Sequence, residues 1–72
     1  MSYMMTLSLL RTKTDSLCKA ETEREAREID NALCRPLAKA MGMAYIMPQG
    51  QRKVVLEMAI QQAVNARRKM FA

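Results

Sequence analysis

Few residues in this chain have the chemistry for catalysis. There is no histidine, and Ser2, Ser8 and Ser16 sit near the N-terminus with no base at a defined spacing. A hydroxyl nucleophile needs such a base to be activated. The carboxylates cluster on one charged stretch, where Glu21, Glu23, Glu25, Glu28 and Asp30 alternate with Arg24 and Arg27. That interleaving describes a solvated helical face, with no apolar pocket for a general acid or base. Cys18 and Cys34 stand sixteen positions apart, with no CxxC pair. Neither cysteine nor any histidine cluster offers a zinc site, so the sequence predicts no metal, no cofactor and no enzyme activity. At helical core positions the two cysteines read as small hydrophobes. On one helix they would lie about 24 Å apart along its axis, beyond disulfide reach. Two unpaired thiols fit a reducing cytoplasm.

The remaining chemistry is that of binding. Arg67, Arg68 and Lys69 form a basic run, and the chain carries twelve Lys and Arg against seven Asp and Glu, a net charge of +5. These three residues are candidate phosphate contacts, with Arg52 and Lys53 or Arg11 and Lys13 as further cations. Against that stands the ordinary use of such charge for solubility and for complementing a helix C-terminus. There are eight methionines but only three aromatics, Tyr3, Tyr45 and Phe71. Methionine fills irregular cores and also lines adaptable interfaces. Met41, Met43, Met58 and Met70, with Phe71, are therefore candidates for a cleft that takes a partner's amphipathic helix.

The elements that must position these residues are mainly helical. The pattern predicts a long first helix with a loose early segment, capped by Thr6, Thr14 or Asp15, after frayed residues 1–5. Its main part runs from about Asp15 to Met41 along the stripe Cys18, Thr22, Ala26, Ile29, Leu33, Leu37, Met41. Pro36 should bend it without ending it. A second helix, about Gln51 to Lys69, carries Val55, Leu56, Ala59, Ile60, Ala63, Val64, Ala66 and Met70 on one face. Between them Gly42 signals a helix end, Pro48 pushes Met47 towards extended geometry, and Tyr45 and Ile46 favour a strand. The expected order is helix, short strand, helix.

A lone strand cannot satisfy its own backbone. Seventy-two residues also make a small core that usually needs an added constraint. Together these predict a mainly α, single-domain, intertwined homodimer built on an intermolecular antiparallel two-stranded ribbon. The expected dimer residues are Ile29, Leu33, Leu37, Tyr45, Ile46, Met47, Leu56 and Ile60. The competing architecture is a helical dimer in which residues 43–48 are a loop. No apolar run is long enough to span a membrane, and the N-terminus lacks the basic and apolar regions of a signal peptide. The sequence thus predicts a cytoplasmic protein with no membrane partner.

Leu7-Ser8-Leu9-Leu10-Arg11, Ala26-Arg27-Glu28-Ile29-Asp30 and Met43-Ala44-Tyr45-Ile46-Met47-Pro48-Gln49-Gly50 together resemble a family. It is a small early protein of lambda-like temperate phages, encoded between the exonuclease and excisionase genes. The likeness is one of length and element order over most of the chain. It implies a dimeric protein that tilts infection towards lytic growth by acting on the host cell, and it carries no functional residue across. The function expected is a non-enzymatic regulatory protein that binds a host protein, with a basic nucleic-acid-binding dimer as the alternative.

Overall fold

The computed structural model describes residues 2–71. They form three α-helices, α1 (Tyr3–Cys18), α2 (Glu23–Ile46) and α3 (Gln51–Phe71), and no strand occurs among the described residues.

α1 starts earlier than expected. The Ser2 hydroxyl accepts the Met5 N–H at 3.3 Å, supplying the cap assigned above to Thr6 or later residues. The Tyr3 hydroxyl donates to the Arg52 carbonyl at 3.0 Å, so the first turn is docked on α3 rather than frayed. Met1 lies outside the described residues. Leu7, Leu10 and Leu17 face inward, as their spacing of three and seven requires.

The expected helix from Asp15 to Met41 is broken at residues 19–22. Leu17 and Ala26 are both fully buried. Nine residues on one helix turn through about 900°, which would place them on opposite faces. Burying both therefore requires a chain reversal between them. Thr22 is not part of an apolar stripe but the cap of α2, its hydroxyl accepting the Glu25 N–H at 3.1 Å. Cys18 and Cys34 are both exposed, on different helices, which corrects their reading as core hydrophobes.

α2 passes through Pro36, whose ring is buried. The carbonyl it frees belongs to Ala32, which is exposed and open to water. The helix also passes through Gly42, which has no positive φ. The strand expected around Tyr45 and Ile46 is thus corrected to a final helical turn. The inward spacing Leu33, Leu37, Ala40, Ala44 continues there, and an α-helix pairs its own backbone without needing a second strand. In this fold the segment supplies no edge for the intermolecular ribbon. Pro48 does act as expected: Met47, the residue before it, is extended at φ −73° and ψ 143° and ends α2.

α3 follows the turn at Pro48–Gly50 and keeps its expected apolar face, with Leu56, Ala59, Ala63 and Ala66 buried. The connections are short, so the helices run up, down and up. Each packs on both others around one core of six leucines and six alanines. At about 1.5 Å per residue, the 24-residue α2 spans most of the 39 Å long axis.

Candidate functional site

The bundle has two unlike ends. Tyr3, Met43, Met47, Pro48 and Arg52 line one cavity of about 510 Å³, bringing together the start of α1, the end of α2 and the start of α3. At the opposite end Thr22, Ala26, Met70 and Phe71 line another cavity. The end with the α2–α3 hairpin carries most of the exposed large apolar side chains. Met4 and Met5 lie in the first two turns of α1, Met41, Tyr45 and Ile46 in the last turns of α2, and Val54 and Met58 in the first turns of α3. Tyr45 and Ile46 are 86% and 79% exposed. Large apolar groups left in water mark contact surfaces when they gather in one region.

The charge is divided in the same direction. From the waist of the bundle to the hairpin end lie Arg11, Lys13, Arg35, Lys39, Arg52 and Lys53 against Glu57 alone, six cations to one carboxylate. Of these, Arg11, Lys13 and Arg35 lie at mid-bundle, Arg11 bordering the α1–α3 groove with Asp15 and Lys69. The hairpin end itself thus carries Lys39, Arg52 and Lys53 against Glu57, while the six carboxylates beyond the waist are matched by six cations. The ion pairs are likewise one-sided: Lys19–Asp15, Arg24–Glu28, Arg27–Glu23 and Arg67–Asp30 all lie away from the hairpin. The guanidinium of Arg52 instead rests over the Tyr3 ring, 5.4 Å from its centroid. The Lys53 ammonium donates to the Met47 carbonyl at 3.4 Å, holding the α2 C-terminus against α3.

The expected dimer residues separate into two groups. Leu33, Leu37 and Leu56 belong to the chain's own core, and Ile29, Met47 and Ile60 are half-buried against it. Only Tyr45 and Ile46 present nearly their whole side chains outward. The proposed methionine cleft is also divided. Met43 lines the hairpin-end cavity, Met41 borders the α2–α3 groove with Tyr45 and Ile60, and Met70 and Phe71 stand at the opposite end. Met58 is exposed on α3 and lines none of these three.

The three candidate phosphate contacts do not share a surface. Arg67 turns to α2, its Nη2 donating to Asp30 Oδ2 at 3.4 Å while Nε approaches Oδ1 at 2.7 Å, off the line of a hydrogen bond. Lys69 lines the α1–α3 groove and Arg68 is exposed. Neighbouring helical residues diverge by about 100°, which is why a run in sequence is not a patch in space. No group of three or more His, Cys, Asp or Glu side chains is placed to hold a metal among the described residues. No described helix is long and apolar enough to cross a membrane.

Tyr3 and Arg52 were not singled out together by the sequence. They are 49 positions apart, and only the return of α3 alongside α1 makes them neighbours. No local spacing signals such a contact. No known family profile, curated protein or solved structure matches the chain.

Proposed function

We propose that this chain is a non-enzymatic interaction protein that docks on a host protein through the hairpin end of its bundle. Its resemblance to the small early proteins of lambda-like temperate phages gives the setting, in which that contact favours lytic growth in the host cytoplasm. The observation that supports the reading is the outward display of Tyr45 and Ile46 beside a cationic surface. Exposed aromatic and aliphatic anchors are the groups that dominate protein–protein contacts. The test is crosslinking mass spectrometry of the protein expressed in its host, with Tyr45→Glu and Ile46→Glu compared with the parent. Both side chains are exposed, and a carboxylate in the last turn of α2 costs about 0.3–1 kcal/mol against the helix dipole, so the variants stay folded while crosslinks to a specific host protein disappear. Retention of those crosslinks by the double variant overturns the reading.

Self-association is the second reading, and one observation favours it. The chain exposes 5160 Å², whereas about 4500 Å² is usual for a folded monomer of this mass. A homodimer would cover part of that surplus by pairing helix faces, since a ribbon would require the end of α2 to unwind. Sedimentation equilibrium at micromolar concentration separates an 8.2 kDa species from its double. The nucleic-acid alternative loses Arg67, which is engaged by Asp30, and keeps Arg11, Lys13, Arg52 and Lys53 as its phosphate contacts.

A further inference from the structure

We infer that the partner surface is an acidic segment with an apolar anchor. The anchor enters the hairpin-end cavity between Tyr3, Met43 and Met47, and a carboxylate beside it meets Arg52. This rests on the interaction reading above and assigns the chemistry of the partner to it.

Three observations lead there. The cavity is walled by flexible methionines and a tyrosine, which suit a side chain such as Leu, Met or Phe. Arg52 stands at its rim with no carboxylate partner among the described residues, its guanidinium over the Tyr3 ring at 5.4 Å from the centroid. A fork of this kind takes a carboxylate in two parallel hydrogen bonds. Finally, the hairpin end carries Lys39, Arg52 and Lys53 against Glu57, with Arg11, Lys13 and Arg35 at the waist behind it, an excess that draws an acidic partner and orients its approach.

Charge also separates this occupant from its rivals. A second copy brought up by a two-fold axis would set one cationic end against another. Brought up head to tail, it would offer an end with six cations and six carboxylates. Neither complements the hairpin end. A nucleic-acid duplex would satisfy the cations through its phosphates, but its bases are stacked inside the helix and offer no flexible apolar side chain to fill the cavity.

The experiment uses the full chain, labelled with ¹⁵N, and two probe peptides. One is a short amphipathic helix of leucine and glutamate; the other has every glutamate replaced by lysine. The acidic peptide is expected to shift the amide signals of Tyr3, Met47 and Arg52, more weakly as salt is raised, and the basic peptide to leave them unmoved. Met47→Glu, checked for helicity by circular dichroism, should weaken binding roughly tenfold by replacing an apolar wall of the cavity with a carboxylate that repels the acidic peptide. Arg52→Glu tests the same site through an exposed residue and should weaken it several-fold, while Arg24→Glu at the other end changes nothing. Equal binding of the basic peptide, shifts confined to other faces, or an inert Arg52→Glu overturns the assignment. So does movement of the same signals when only protein concentration is raised, or stronger binding of a short DNA duplex at these residues. Host crosslinks that depend on Tyr45 and Ile46, with no binding of the acidic peptide, overturn the acidic assignment alone. Loss of both overturns the interaction reading as well.

Discussion

Gly42 occupies a helical position with nothing within 4 Å of where a Cβ would stand, and its φ is not positive. Its backbone freedom is therefore a cost to the folded state with no steric need behind it. Gly42→Ala is expected to stabilise the protein by about 1 kcal/mol, read as a higher urea midpoint with an unchanged slope. Were the residue a left-handed cap before a strand, the same change would destabilise. Thr6 makes the opposite kind of point. Its side chain is fully buried, and its hydroxyl has no hydrogen-bond partner. Thr6→Val keeps the shape and removes the stranded polar group, so a gain of about 1 kcal/mol is expected, visible as a rise in the thermal midpoint.

Among the elements, α3 was legible because its apolar residues keep one phase from Val55 to Met70, and the extended geometry of Met47 was legible from Pro48. The division between α1 and α2 was also written in the chain, as Thr22-Glu23-Arg24-Glu25, a Ser/Thr-x-x-Glu start signal. It was overridden by a stripe of Cys18, Thr22 and Ala26 that obeyed the helical period but used residues too small or polar to demand burial. The last turn of α2 was misread for a related reason. Tyr45 and Ile46 carry strand preference, yet that preference is weaker than an uninterrupted inward spacing through Ala40 and Ala44. The hairpin-end cavity was not legible, because Tyr3 and Arg52 meet only through the packing of α1 on α3. The Thr22 cap can be checked directly: Thr22→Ala leaves the Glu25 N–H without its acceptor and should cost about 1 kcal/mol in urea unfolding. Thr22→Asp, which also accepts this bond and adds charge at a positive helix end, should restore most of it.

At the scale of the whole molecule, the uneven charge acts on the fold as well as on partners. Arg11, Lys13, Arg35, Lys39, Arg52 and Lys53 repel one another across the hairpin side, with Glu57 as their sole counter-charge there. The neutral end has its own ion pairs, but these are exposed helical pairs for the most part and contribute little. Salt screens the repulsion over distances of about 10 Å at 0.1 M, so added sodium chloride should raise stability rather than lower it. Lys39→Glu tests the source of that effect. It places a carboxylate four residues after Arg35 on the exposed face of α2, where such a pair is worth about 0.2–0.5 kcal/mol, and it lowers the charge of the hairpin side by two. Urea unfolding at low and high salt should show the variant more stable than the parent at low salt, with the two converging as salt rises. A parent whose stability falls with salt would mean that the paired charges at the other end outweigh the repulsion. In that case the cationic excess towards the hairpin end is too weak to steer a partner there.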